Sequence, residues 1–133
     1  MKVLIHDVPE EHERPMLSEG DIGLISDLGH QSVVSRSLEN SLEILRNEKV
    51  DVVLIHHYIL NFEALERMRC VSPNLLYVGY SGGASLIAGT FGYGVYEEMS
   101  EKYDGIFLGR MRYIIPDIEE RLAERATIAE HKT

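Results

Sequence analysis

The sequence predicts a single α/β domain with a parallel β-sheet that is covered by helices on both faces. Five short apolar runs alternate along the chain with five longer segments of helical character, and this order is typical of right-handed βαβ crossovers. The run at residues 50–55 is apolar apart from Asp51, as expected of a central strand buried on both sides. A length of 133 residues suits one domain with a sizeable core.

The first predicted strand and helix occupy the amino-terminal part of the chain. Residues 3–5 form a short apolar strand that polar residues end. Residues 10–28 form a weak helix, because Gly20 and Gly23 each cost about 1 kcal/mol relative to alanine. Gly29 suits the end of this helix, since glycine is the residue that most readily adopts the conformation of a helix C-terminus.

The second predicted strand and helix have clearer signals. Residues 33–34 form the core of the strand, and Ser37 then has the residue type of a helix N-cap. The apolar positions that follow are spaced by four and three residues, and they lie on one face of a helix: Leu38, Leu42 and Leu45. The third strand is the apolar run at residues 50–55.

The second half of the chain continues the alternation. A third helix is predicted over residues 61–69, with Asn61 as its cap, followed by a strand at 75–78. A fourth helix is predicted over 95–103 and a fifth strand at 106–108. Pro116 begins the fifth helix, because a proline in the first turn and acidic residues after it suit a helix N-terminus.

Composition and charge narrow the class of protein. The net charge of −9 and the absence of a clustered basic stripe exclude direct nucleic-acid binding as the expected role. No apolar run is long enough to span a membrane. Cys70 is the single cysteine, which fits a reducing compartment, so we predict a cytoplasmic protein. We place the domain at residues 1–126 and predict a disordered tail at 127–133, where periodicity is lost.

The carboxyl ends of the strands are where a ligand site is expected in such a sheet. The third strand ends in His56 and His57, and the first strand is followed by His6 and Asp7. The fourth strand is followed by Gly79 and by a glycine-rich stretch, and the fifth by Gly109 and Arg110. These residues are therefore predicted to meet at one edge of the sheet.

The order of these elements resembles the receiver domain of bacterial response regulators. The stretches that carry the resemblance are residues 2–7, 28–34 with the helix after them, 51–56 and 103–110. It spans about residues 1–126. The resemblance implies a flavodoxin-like three-layer sandwich with a five-stranded parallel sheet in the strand order 2-1-3-4-5.

The resemblance also implies a phosphorylation pocket, which is degenerate in this sequence. The family uses acidic residues for Mg²⁺, an acceptor aspartate, a Ser or Thr, and a Lys. The corresponding positions here hold Asp7, His56, Gly79 with Ser81 two residues on, and Arg110. One Asp with histidine opposite is a poor Mg²⁺ site, because Mg²⁺ prefers an octahedral shell of oxygens, and an imidazole cannot form an acyl phosphate.

The histidines allow two other interpretations of this edge. A transition metal such as Zn²⁺ could be held by a subset of His6, Asp7, His56 and His57, in a metal-dependent enzyme. Adjacent strand residues point to opposite faces, so only one histidine of each pair can easily face a common pocket. Alternatively, one histidine pairs with Asp7, which would raise its pKa towards physiological pH and create a pH sensor.

The glycine-rich stretch at residues 81–94 allows a third interpretation. It follows a strand and precedes a helix, where backbone amides can bind an anion. It matches neither the P-loop nor the dinucleotide-binding pattern. The candidate residues for a small-molecule or anion site are Ser81, Gly82, Gly83, Ser85 and Arg110; Arg110 could equally pair with Asp7 or with an acidic helix.

The resemblance and the degenerate pocket together predict a pseudo-receiver that acts through protein–protein contacts in signalling, without phosphotransfer and more as a binding module than as an enzyme. No cofactor is expected. The predicted partner is another protein or a second copy of the chain. The contact surface that the resemblance implies comprises the fourth helix, fifth strand and fifth helix, and includes Tyr96, Met99, Tyr103, Phe107 and Met111.

Overall fold

The computed structural model describes residues 1–7, 19–56, 62–81, 101–108 and 110–132. The strands are β1 (Lys2–His6), β2 (Gln31–Ser35), β3 (Val52–His56), β4 (Leu76–Ser81) and β5 (Ile106–Leu108). The helices are α1 (Glu19–Asp27), α2 (Leu38–Asn47), α3 (Phe62–Val71) and α4 (Met111–Lys132). Helix α4 is the one predicted as the fifth, because most of the predicted fourth helix lies outside the described residues.

The five strands form one parallel sheet in the order β2-β1-β3-β4-β5, which confirms the predicted flavodoxin-like topology. Helices α2 and α3 pack together over one face of the sheet, and α1 and α4 pack together over the other. None of the helices in the described ranges is long and apolar enough to cross a membrane.

The side chains of each central strand alternate between two hydrophobic cores. The core beneath α2 and α3 takes Leu4, Val53 and Tyr77 from the sheet. The core beneath α1 and α4 contains the side chains of the intervening residues of the same strands, and three isoleucines of α4 pack against them. Its central members are Val3, Ile5, Val52, Leu54, Val78, Ile114, Ile115 and Ile118. Two covered faces explain why β3 has no polar position between Val52 and Ile55.

Helix α2 and the end of α1 form as the sequence predicts. The Ser37 side chain accepts a hydrogen bond from the Asn40 amide at 3.1 Å, so Ser37 is the N-cap. Gly29 adopts a φ of +88°, and its amide donates to the Ser26 carbonyl. A side chain at Gly29 would be strained in this conformation, which is why glycine suits the turn that ends α1.

Strand β4 extends further than the sequence predicts. It begins at Leu76 and runs to Ser81, three residues beyond the predicted end at residue 78. In the sequence, Gly79 predicts the end of the strand. In the structure its amide donates to the Gly105 carbonyl at 3.0 Å, and residues 79–81 pair with β5. The ladder to β5 therefore outweighs the weak strand propensity of glycine.

Helix α4 begins earlier and ends later than predicted. It starts at Met111, so Pro116 lies inside the helix instead of in its first turn. The burial of Ile114 and Ile115, which directly precede Pro116, favours helix, although proline removes one backbone hydrogen bond. The helix continues to Lys132, through the predicted disordered tail, because no glycine or proline interrupts residues 117–132.

Candidate functional site

The register of the sheet brings the predicted residues His6, Asp7 and His56 to one edge, together with Tyr80. His6 of β1 pairs with Ile55, and β3 continues one residue further to His56. Asp7, which follows β1, therefore lies in the next row of the sheet beside His56. In β4 the residue paired with His56 is Tyr80. Residues 7, 56 and 80 thus lie side by side at the carboxyl edge of the sheet, the expected location of a ligand site.

Asp7 is a buried carboxylate with an arginine partner. Its side chain is 2 % exposed, and the Arg36 guanidinium donates to Oδ2 through Nη1 at 2.8 Å. The same nitrogen lies 3.4 Å from the Asp7 carbonyl oxygen. Arg36 directly follows β2, and the Asp7 amide donates to the Ser35 carbonyl at 2.9 Å. The ends of β1 and β2 are therefore joined by backbone and side-chain contacts.

Tyr80 places a phenol on the same face as Asp7. The residue is 6 % exposed and belongs to the core beneath α1 and α4. Burial raises the pKa of the Tyr80 hydroxyl, and the negative charges of Asp7 and Asp21 raise it further. Tyr80 is accordingly protonated over the physiological pH range, and its hydroxyl can donate a hydrogen bond to a carboxylate.

His6 points to the opposite face from Asp7 and begins a buried chain of hydrogen bonds. The Ser35 hydroxyl donates to the Ser37 carbonyl at 2.8 Å, and the Ser41 hydroxyl donates to Ser35 Oγ at 2.7 Å. Both hydroxyl protons are then committed, so His6 Nδ1 must donate to Ser41 Oγ, at 2.6 Å. The tautomer of His6 is fixed by its partners, and the imidazole is held against α2.

The pKa of His6 is lowered from 6.5 to about 4, because burial disfavours the imidazolium, while the nearby charge of Asp7 opposes the shift. His6 is therefore neutral at physiological pH. The pH-sensor interpretation required a histidine with a raised pKa, and for His6 that interpretation is wrong. Its hydrogen-bond partner is also a serine of α2 and not the carboxylate of Asp7.

The metal interpretation concerns four residues, of which the structure describes the side chains of His6 and Asp7. His6 and Asp7 are adjacent in the chain and face opposite sides of the sheet, so they cannot both enter one site. In the described part of the chain, no group of three or more His, Cys, Asp or Glu side chains is placed to hold a metal ion. His57 lies outside the described residues.

The other predicted pocket residues are spread along the edge. Gly79 lies inside β4, one row before Tyr80, and Ser81 is the last residue of that strand. Arg110 is exposed, and its carbonyl accepts the amides of Tyr113 and Ile114 in the first turn of α4. The remaining members of the predicted anion loop lie outside the described residues: Gly82, Gly83 and Ser85.

The predicted contact surface is corrected by the burial of two of its residues. Tyr103 is 4 % exposed and its ring packs beside that of Phe62, while Met111 is 5 % exposed and faces the core beneath α4. Both stabilise the domain and are not available for a partner. Phe107 is partly buried beneath the Arg121 guanidinium. Tyr96 and Met99 lie outside the described residues.

Solved structures with similar folds are receiver domains. A response regulator from Thermotoga maritima has a TM-score of 0.69 and 12% identity, covering 92% of this chain and 97% of that one. The signal receiver domain of an HD domain-containing protein from Pseudomonas fluorescens Pf-5 has a TM-score of 0.70 and 14% identity, covering 97% and 91%. This chain has the receiver-domain fold. No family model matches the sequence, and a search of curated proteins gave no match.

A third similar structure, the CheY-like receiver domain protein from Methanospirillum hungatei JF-1, has a TM-score of 0.65 and 16% identity, covering 95% of this chain and 96% of that one. The Mg²⁺ that the receiver fold implies does not fit the residues described here. Asp7 is a single carboxylate, it is bound by the cationic side chain of Arg36, and its neighbour His6 faces away. A hard cation needs several oxygen ligands, and in the described ranges 1–7, 52–56 and 76–81 the one carboxylate is that of Asp7.

Proposed function

We propose that this receiver-like domain takes part in signalling through protein contacts and is not phosphorylated at the carboxyl edge of its sheet. The observation that carries the proposal is the end of β3, where the chain has His56. None of residues 52–62 is Asp or Glu, so the strand that would present an acceptor carboxylate has none. A phosphoryl group transferred to a carboxylate forms an acyl phosphate, which an imidazole cannot form.

The environment of Asp7 supports the same conclusion. In a phosphoryl-transfer site a divalent cation neutralises the charge that develops on the transferred group. Here the carboxylate that would help to bind such a cation already has a guanidinium partner, Arg36, at 2.8 Å. The pairing of Asp7 with Arg36 and the absence of a carboxylate at residues 52–62 both support the proposal.

Incubation with acetyl phosphate and Mg²⁺ should leave the intact mass of the protein unchanged. The physical reason is the missing carboxylate at the end of β3. Mass spectrometry of the intact protein checks this, with a phosphorylatable receiver domain treated in parallel as the positive control. A phosphoryl adduct on this protein, traced by peptide mapping to the segment around His56, would contradict the proposal.

The proposed contact surface is the exposed part of β5 and α4. The large apolar side chains that α4 leaves exposed among the described residues are Tyr113, at 64%, and Ile128, at 55%. A shallow cleft of about 440 Å³ lies along the helix, lined by Glu120, Ala123, Glu124, Thr127 and Ile128. Apolar side chains beside a charged rim are typical of transient protein interfaces. We propose a second copy of the chain as the partner.

Replacing Tyr113 by Glu should lower the self-association of the protein. A carboxylate at this position would have to be desolvated in the interface, whereas the helix itself tolerates an acidic residue in its first turn. Light scattering over a range of protein concentrations measures the effect. Leu28→Glu is the matched control, because Leu28 is also exposed, at 42%, but follows α1. An unchanged mass for Tyr113→Glu, or an equal loss in the control, would count against this surface.

A further inference from the structure

We propose that two copies of this chain pair along the carboxyl-terminal half of α4, with the two helices parallel, so that the acidic row of each copy faces the basic row of the other. The acidic row comprises Glu120 and Glu124, and the basic row comprises Arg121 and Arg125. This arrangement rests on the self-association proposed above and deepens it, because it names the charges that the partner presents and the relative orientation of the two copies.

The second half of α4 leaves most of its surface uncovered. The helix has 22 residues, but among its described side chains the buried ones all lie between residues 111 and 118: Met111, Ile114, Ile115 and Ile118. Between residues 119 and 128, Leu122 is half-buried and every other side chain is exposed. This half of the helix therefore presents a surface that its own domain does not cover.

The charges on this surface form two adjacent rows. Residues four apart lie one above the other on a helix, so Glu124 lies above Glu120, and Arg125 lies above Arg121. Like charges at this spacing destabilise an isolated helix. In the part of the chain that the structure describes, neither row forms an ion pair. Opposite charges supplied by a partner would relieve the repulsion within both rows.

Two shallow clefts of different charge adjoin along these rows. The cleft of about 440 Å³ described above contains both glutamates. The second cleft, of about 310 Å³, contains both arginines, and it is lined by Leu76, Asp104, Arg121, Glu124, Arg125 and Ile128. The Asp104 carboxylate is already paired with Arg69 at 3.2 Å, so the arginines determine the charge of the second cleft. The surface is thus complementary to a second copy of itself.

Arg121 is held in position without a partner. Its Nη1 donates to the Asp104 carbonyl at 2.9 Å, and its guanidinium lies 5.8 Å from the centroid of the Phe107 ring. A guanidinium has several N–H donors, so Arg121 can bind a carboxylate of the partner as well. A side chain that is fixed in advance loses less conformational freedom on binding, which favours association.

The order of the rows determines the orientation of the partner. Ile128 lies four residues after Glu124 and three after Arg125, and therefore between the two rows. A twofold axis parallel to the helices places each acidic row opposite a basic row and brings the two Ile128 side chains, each 55% exposed, together at the axis. An antiparallel pair would place each row opposite the same row of the partner, which brings like charges together. Charge complementarity therefore favours the parallel pair.

The test is a reversal of charge at Arg125 and at Glu124, one residue from each row. Both residues are exposed, so the core is unaffected. Arg125→Glu alone and Glu124→Arg alone should each weaken self-association by about tenfold or more, because the twofold axis places like charges opposite each other twice. An equimolar mixture of the two variants should associate again, because the glutamates of one variant then face the arginines of the other.

Light scattering over a range of protein concentrations at low ionic strength measures the affinities, and native mass spectrometry measures the proportion of mixed dimer. Arg46→Glu is the matched control, because Arg46 is an exposed arginine of α2, which covers the other face of the sheet. The same change in net charge at this position should leave self-association unchanged. Added salt should weaken the wild-type dimer, because the charges in both rows are exposed to screening.

The arrangement is overturned by an unchanged affinity in Arg125→Glu and Glu124→Arg, by an equal loss in Arg46→Glu, or by no more mixed dimer than random exchange gives. Each of these results, with a wild type that still dimerises, contradicts this arrangement and leaves the proposed self-association in place. A wild type that stays monomeric at every concentration contradicts both. A phosphoryl adduct contradicts the proposed absence of phosphorylation and does not affect the pairing of α4.

Discussion

Acidification from about pH 7 to about pH 4 should destabilise the folded protein by about 3 kcal/mol through His6, given a pKa of 6.5 when unfolded and about 4 when folded. Because the folded pKa is depressed, the unfolded chain binds the proton more tightly. The contribution of His6 to stability is therefore fully present above about pH 6.5, and it is lost progressively as the pH falls towards 4.

Chemical denaturation of the wild type and of His6→Asn at several pH values isolates this contribution. The side-chain amide of asparagine can replace Nδ1–H as the donor to Ser41 Oγ, which lies 2.6 Å from the imidazole nitrogen, and it does not titrate. The stability of His6→Asn should fall less steeply between about pH 6.5 and 4 than that of the wild type. Parallel curves for the two proteins would show that His6 is not the titrating group.

Met111→Glu should unfold the protein or destabilise it by about 3 kcal/mol or more, because it buries a carboxylate without a partner. Met111 is 5 % exposed and belongs to the same core as Tyr80 and Ile115. The sequence places Met111 on a contact surface, where the same substitution would leave stability unchanged and weaken a dimer. The structure reverses that expectation.

Arg112→Glu provides the comparison one residue along the helix. Arg112 is exposed, so a reversal of its charge should change the free energy of unfolding by less than about 0.5 kcal/mol. Thermal and urea unfolding of Met111→Glu and Arg112→Glu measure the change in the free energy of unfolding that each substitution causes. If Met111→Glu were as stable as Arg112→Glu, the first turn of α4 could not be packed against the sheet as described.

The sheet order and helix α2 are predictable from sequence because local and long-range signals agree there. Leu42 and Leu45 fall on one helical face, Ser37 caps it, and β3 is apolar because both of its faces are covered. The start of α4 is predicted wrongly from Pro116. Proline is most favourable in the first turn of a helix, yet here the burial of Ile114 and Ile115 extends the helix to residues before the proline.

The candidate site is only partly predictable, because the apolar pattern marks the ends of strands but does not show which side chains of different strands come into contact. Asp7 and His56 stand at strand ends that the apolar pattern marks clearly. Arg36 is not among the predicted site residues, although it directly follows the second strand, at the sheet edge where a cationic partner of Asp7 would lie. Tyr80 is not among the predicted site residues either, because the length of β4 depends on its pairing with β5, which composition alone does not reveal.

The central position of β1 has a consequence for how the chain assembles. Strand β1 precedes the other strands of this sheet in the chain and lies between β2 and β3, and Val3 pairs with Val52 on one side and with Ser32 on the other. Such non-local pairings must pay the entropy of closing long loops before they gain stability, which slows folding. Strand β1 therefore cannot be paired on both of its edges until β3 has been made.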